Sequence, residues 1–303
     1  FRAGGFRATQ LTWFDRSGKQ LESVGPPGAY RDLALSPNEN RVAVSRVDPQ
    51  SGTHDVWVLD ISRDVATRLT YQPSDELSPL WSPDGQYVAF SAEKGGAPNL
   101  FQRVATGAGD ELLLLKTDSS VYGTDWSAAR SSIVYAYWDP KTSWDLWTVP
   151  VKPGASASAK PMPYQQGPFD AFQAAFSPDG RWIAYTANES NRYEVYVQPY
   201  PPTSSRWQVS SNGGAQPFWR GDSRELFYIA PDRKLMSVEI RAGAGFETAP
   251  PKPLFQTGIT GLTDARSHFV ASRDGQRFLV NTIVQEGVSS PVAVFLNWHR
   301  NLR

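Results

Sequence analysis

Only three side chains in the 303 residues carry an imidazole, His54, His268 and His299, and none carries a thiol. The absence of cysteine excludes thiolate zinc sites, iron–sulfur clusters, disulfide scaffolds and thiol nucleophiles. A serine hydrolase needs a Ser on a sharp turn with a histidine and an acid in reach, and the chain holds no G-x-S-x-G segment. His54 precedes an apolar run in a polar loop and His299 lies near the C-terminus, so both read as solvent-exposed loop residues. His268 opens an apolar run with no acid–histidine–nucleophile spacing around it, so it reads as a structural, hydrogen-bonding group. Recurring Ser-Pro-Asp-Gly segments raise the question of calcium, but a calcium loop gathers several oxygens at short regular spacing and each of these segments offers one aspartate. The expectation is no catalytic residue, no metal and no cofactor.

Thirty Lys and Arg balance thirty Asp and Glu, so no global field draws the chain to a phosphate backbone or an anionic lipid surface. No stretch approaches the ~18 apolar residues of a membrane span. These features predict no nucleic-acid partner and no direct membrane insertion by this fragment. The opening FRAGGF lacks the regions of a signal peptide and begins at Phe1, which predicts a processed product or an excised domain.

The elements that position any site follow from an internal repeat. LALSPNENRVAVSR, PLWSPDGQYVAFSA, TDWSAARSSIVYAY, AAFSPDGRWIAYTA, PFWRGDSRELFYIA and FVASRDGQRFLVNT share one template, an apolar run, a tight turn and an alternating apolar run. Their anchors, Ser36, Ser82, Ser127, Ser177, Arg220 and Ser272, are 46, 45, 50, 43 and 52 residues apart, close to the period of a four-stranded propeller blade. Third runs follow at 55–60, 99–104, 145–149, 194–198, 234–240 and 292–297, and fourth runs at 67–70, 111–116, 206–210 and 252–256. Asp-Gly pairs supply the turns, and Trp81, Trp126, Phe176 and Trp219 recur at one register suited to the wedge between fanning sheets. The predicted fold is all-β, a six-bladed β-propeller of four-stranded antiparallel blades forming a single domain over 1–303. The blades fall at 28–72, 73–117, 118–166, 167–211, 212–258 and 259–303, the last completed by 6–27, whose hairpin at 11–24 closes the ring and removes two sheet edges.

Innermost strands line the channel, so the residue four before each anchor should project near its mouth. Those residues are Asp32, Ser78, Gly123, Gln173, Gln216 and His268, five of the six polar. Arg31, Glu76, Tyr122, Asp125, Asp170 and Arg266 neighbour them. A ring of donors and acceptors beside aromatics suits a small ligand or a peptide terminus; the competing expectation is that these groups bind channel water. In the aromatic cluster around Asp139, an exposed Trp138 or Trp144 would be a binding anchor. The loop 152–160 (KPGASASAK) reads as mobile.

PLWSPDGQYVAFSA and AAFSPDGRWIAYTA resemble the repeat of the TolB-like propellers, found also in the non-catalytic propellers of prolyl oligopeptidase and dipeptidyl peptidase relatives. LTWFDRSGKQLESVG and PVAVFLNWHRNL more narrowly resemble the two ends of propeller regions attached to bacterial serine/threonine protein kinases. That resemblance implies an extracytoplasmic sensing or docking module, tethered to a kinase domain and a membrane span that are not in this sequence. The expected function is non-catalytic binding of a protein, peptide or small ligand at the channel mouth. The alternatives are a propeller hydrolase or lyase using Asp32, Asp125, Asp170 or His268 at the same mouth, and a stand-alone periplasmic scaffold.

Overall fold

The computed structural model describes residues 7–157, 160–242, 245–263 and 267–284. It begins with a hairpin of β1 (Thr9–Asp15) and β2 (Gln20–Gly28). Blade one follows as β3 (Tyr30–Leu35), β4 (Arg41–Val47), β5 (His54–Asp60) and β6 (Val65–Arg68), and blade two as β7 (Glu76–Trp81), β8 (Tyr87–Ala92), β9 (Asn99–Val104) and β10 (Leu112–Leu115). Blade three is β11 (Val121–Ser127), β12 (Ser132–Asp139), β13 (Ser143–Pro150) and β14 (Met162–Gln165). Blade four is β15 (Ala171–Phe176), β16 (Trp182–Ala187), β17 (Glu194–Pro199) and β18 (Trp207–Gln208). Blade five is β19 (Ala215–Trp219), β20 (Glu225–Ile229), β21 (Lys234–Ala242), a short extra strand β22 (Phe246–Thr248) and β23 (Lys252–Gln256). Blade six orders β24 (Phe269–Ala271), β25 (Arg277–Ile283), β1 and β2.

This is the expected six-bladed antiparallel propeller, closed as expected by the N-terminal hairpin. The third position of blade six belongs to β1, which pairs with β25 from Thr9↔Ile283 to Asp15↔Arg277 without a break in register. The run 292–297, read as that strand, lies outside the described residues, as do the rest of 285–303 and Arg266. Both strands that blade six lacks therefore come from the N-terminus, and the ring is joined by seven residue pairs of β-ladder.

The apolar core is distributed between blades. Six clusters of buried side chains each straddle one interface: Leu100 and Tyr135 join blades two and three, Phe90 and Val58 blades one and two, Phe227 and Phe278 blades five and six. Middle strands such as β8, β16 and β20 are consequently covered on both faces, and their runs read AFSA, IAYTA and LFYI without strict alternation. The recurring tryptophan has a second duty. Trp81 Nε1 donates to Ala34 O at 3.0 Å and Trp219 Nε1 to Ala175 O at 3.1 Å, each reaching the preceding blade.

The turn motif is structural. Ser82 Oγ donates to Asp84 Oδ1 at 2.6 Å and accepts the N–H of Tyr87 at 2.9 Å, and Ser177 and Ser272 repeat the pattern on Asp179 with Trp182 and on Asp274 with Arg277. These turns join first to second strands, on the face opposite the mouth. The loop expected to be mobile is held at 154–157: Gln102 Nε2 donates to Ala155 O at 2.7 Å, and Ala157 N donates to Leu114 O at 2.7 Å. Residues 154–157 lie as a strap from blade three onto the outer strands of blade two.

Candidate functional site

Each of the first five blades has a β-bulge where its innermost strand reaches the mouth, with register shifts between Tyr30 and Leu33, Leu77 and Leu80, Gly123 and Asp125, Phe172 and Ala175, and Ala215 and Phe218. A bulge leaves residues unpaired and re-aims their side chains. Ser78, Gln173 and Gln216 sit in these bulges with φ of 54°, 51° and 57°, a left-handed conformation that non-glycine residues adopt only when their surroundings hold them there.

The surroundings are the neighbouring blades. Ser78 N donates to Asp32 Oδ2 at 3.2 Å, Gln216 N to Gln173 Oε1 at 3.1 Å, and His268 N to Gln216 Oε1 at 2.7 Å. In each case the bulge side chain of one blade accepts a backbone N–H at the corresponding position of the next. Second strands reinforce the ring, because Ser45 Oγ donates to Asp32, Thr186 Oγ1 donates to Gln173, and Gly123 N donates to Ser91 Oγ. Asp32, Ser78, Gln173, Gln216 and His268 are 1%, 5%, 5%, 2% and 1% exposed, so these polar groups face one another more than solvent. His268 has both ring nitrogens engaged, Nδ1 with Gln216 Nε2 and Nε2 with Thr260 Oγ1, each at 2.9 Å.

Gly123 breaks the polar series for a packing reason. A Cβ there would stand 2.7 Å from Leu80 Cδ1, so the close approach of blades two and three demands glycine. Asp125, two residues on, ties blades three and four by a different bond, its carboxylate accepting Trp126 N and Phe176 N, both at 2.8 Å. Asp125 thereby lines a different cavity, about 450 Å³, at the turn end of the channel. Glu76 is also displaced from the mouth: it is buried behind the innermost strand, where Ser74 Oγ donates to Oε1 at 3.1 Å. His54, read as an exposed loop residue, instead begins β5 and meets Asp75 at 3.0 Å.

A pocket of about 330 Å³ remains open at the mouth. Arg31, Tyr122, Trp144, Asp170, Phe172 and Tyr193 line it, all half-buried, over a floor that includes Asp32, Ser78 and Gln173. Tyr122 and Trp144 are 5.6 Å apart, Trp138 backs Trp144 edge-on at 5.3 Å, and Phe172 meets Tyr193 edge-on at 5.4 Å. Burial and the hydrogen bond to Asp170 push the Tyr193 phenol up to about 12, so it stays a neutral donor. Burial likewise raises the Tyr122 phenol, against the pull of nearby Arg31. The blade five and six side is filled by residues 258–263, where Leu262 O accepts from Gln173 Nε2 and Gln216 Nε2, each at 2.9 Å. Sequence reading did not identify Tyr193, Thr260 or Leu262: they lie on connections between strands, outside the repeat template that located the rest.

A larger cleft of about 1160 Å³ surrounds the turns of blades four to six on the opposite face. Its charges are mostly paired internally, Arg220 with Asp222 and Glu225, Arg181 with Asp179, Arg241 with Glu239. Among the described residues no group of three or more His, Asp or Glu stands in a metal-binding arrangement.

Fold and mouth together define a six-bladed β-propeller whose channel polar groups join blades and whose open site is an aromatic pocket. In repeat and fold it is similar to the propellers of TolB proteins. The chain is 49% identical over 47 residues to the Tol-Pal system protein TolB of Syntrophus aciditrophicus, 16% of this chain and 10% of that protein. It is 35% identical over 60 residues to a TolB homolog of Chlorobaculum tepidum, 20% of this chain and 14% of that one. Both matches thus span a small part of those relatives. The structure of a putative TolB from Agrobacterium tumefaciens superposes with a TM-score of 0.72 at 16% identity, covering 93% of this chain and all of that one. An oligogalacturonate lyase in complex with manganese shares the fold at a TM-score of 0.51 and 12% identity, covering 92% and 97%. No protein-family profile matches the chain.

Proposed function

We propose that this chain is a non-catalytic binding propeller that takes a protein, peptide or small ligand at its channel mouth. The observation that carries the reading is the pocket walled by Tyr122, Trp144, Phe172 and Tyr193 beside Arg31 and Asp170. Aromatic walls with a few convergent polar groups are the usual make-up of a ligand site. Support for a non-catalytic role comes from the bonding of the candidate acid–base groups: Asp32, Asp125 and His268 each hold a backbone N–H or a ring contact between blades. The likeness of the chain's two ends to kinase-attached propellers supports an extracytoplasmic sensor tethered to a kinase domain and a membrane span, and the TolB relatives support a scaffold for protein partners.

Binding is tested by thermal unfolding with panels of peptides and metabolites. A ligand at about 100 times its Kd adds ~2.7 kcal/mol and raises the Tm of a chain this size by about 4 °C. The rise is expected to vanish in Trp144→Ala; a rise that persists there refutes the mouth as the site. The tether is tested by blotting fractionated source cells, where a soluble band near 33.5 kDa would refute it.

A further inference from the structure

Two charges of opposite sign in the mouth pocket have no ion-pair partner among the described residues. The Asp170 carboxylate accepts from Ser143 Oγ at 2.5 Å, Tyr193 OH at 3.0 Å and Asn188 Nδ2 at 3.2 Å, all neutral donors, so its charge is oriented and not cancelled. The Arg31 guanidinium makes no hydrogen bond among the described residues, and Asp75 acts on it only through space. Arg31 stands in blade one and Asp170 at the start of blade four, three places apart in a ring of six, so the cation and the anion face each other across the channel. Tyr122 and Trp144 flank the space between them, and the Leu262 segment closes the other side.

We infer that the mouth recognises a short linear peptide with both termini free, its carboxylate on Arg31, its ammonium on Asp170 and its side chains against the aromatic walls. The inference rests on the binding reading above and narrows its ligand class. Arginine's planar fork matches a carboxylate in two parallel bonds, and an ammonium beside a carboxylate and ring faces gains both charge pairing and cation–π attraction. A simple acid would satisfy Arg31 and be repelled by Asp170; a simple amine would suffer the reverse. Charges on opposite walls disfavour a single amino acid, whose charges are one carbon apart. A pocket of about 330 Å³ stands at the small end of ligand sites, which suits a peptide of a few residues. Three extended residues span about 10 Å.

Native mass spectrometry of the chain with an equimolar library of linear tripeptides with free termini identifies the best binder, and calorimetry then compares it with its C-terminal amide and its N-acetyl form. On the wild-type protein each block is expected to weaken binding by about tenfold to a hundredfold. In Arg31→Met the amide and the free acid should bind alike, and in Asp170→Asn the acetylated and the free peptide should. No binder in the library, or blocked peptides that bind as tightly as free ones, overturns the inference, and the blocked-peptide comparison needs no variant to fold. A ligand of another class whose stabilisation is lost in Trp144→Ala would overturn the peptide assignment and leave the binding reading standing. No ligand of any class at the mouth would overturn both.

Discussion

Gln216 Oε1 accepts the backbone N–H of His268 at 2.7 Å, and one blade earlier Gln173 Oε1 accepts the N–H of Gln216 at 3.1 Å. The same glutamine both gives and receives, so the bulge of blade five is fixed from two sides and its φ of 57° is held in place. Because a backbone N–H must meet an oxygen, the carboxamide orientation follows, and Nε2 is left to reach Leu262 O and His268 Nδ1. The polar residues at the channel mouth are therefore first a fastening between blades, and they floor the pocket as a consequence.

Gln216→Ala should cost about 2–4 kcal/mol, because His268 N and His268 Nδ1 both lose their Gln216 contacts in a buried setting where each unmade bond costs ~1–3 kcal/mol, while Leu262 O keeps Gln173 Nε2. Equilibrium urea unfolding measures it. An unchanged midpoint would mean that water replaces the carboxamide and the fastening contributes little.

Ring closure has a second lock. Arg16, in the turn between β1 and β2, pairs with Glu225 of blade five at 2.6 Å and donates to Gly275 O at 2.8 Å. Burial tends to raise the Glu225 carboxyl, but hydrogen bonds from Arg16 and Ser237 with the charges of Arg16 and Arg220 outweigh it and hold it below the ordinary value. Its contribution is thus fully present above pH 4.5 and lost as pH falls through the depressed folded value. Breaking a buried pair costs ~3–5 kcal/mol, and with Arg16 about a third exposed we expect about 2 kcal/mol for Arg16→Met. The variant should also lose part of the acid-side fall in stability; identical acid limbs in the two proteins would count against the lock.

The repeat was legible because its signals are local: a serine five residues before a backbone N–H it caps, an Asp-Gly turn, an aromatic at a fixed register. Those signals placed the six blades, and the position four before each anchor found residues that gather at the mouth. What they could not tell was direction. Asp125 and Glu76 lie one or two positions from mouth residues, yet a bulge turns Asp125 to the far cavity and burial takes Glu76 behind the strand. A one-residue offset in a strand reverses the face, and bulges are not written in composition. The closure was legible as an orphan hairpin near the N-terminus, and it is settled by β1 reaching β25 in register along its whole length.

The turn serine is a cheap test of the repeat's logic. Ser82→Ala removes the acceptor of Tyr87 N–H and the donor to Asp84, and should cost about 1–2 kcal/mol without affecting ligand binding at the opposite face. Ser272→Ala should behave alike in blade six, since Ser272 makes the same pair of contacts. A loss of binding in either variant, at temperatures where it is folded, would mean that the two faces are coupled.

Glu76 sets the pH dependence of the interface between blades one and two. Fully buried, with Oε2 lacking a hydrogen-bond partner and Asp55 and Glu111 adding negative potential, its carboxyl is pushed by burial to about 7. The unfolded chain releases this proton near pH 4.5 and the folded chain keeps it until about 7, so the fold binds the extra proton between those values. Stability from this group consequently falls as pH rises from 4.5 to 7 and stays low above that, a change on the order of 3 kcal/mol. Glu76→Gln keeps the shape and removes the charge. It should match the wild-type protein in urea at pH 5 and exceed it at pH 8. Equal midpoints at both values would show that the buried carboxylate is compensated when it ionises, and that its neighbours or water already supply what the glutamine was meant to make unnecessary.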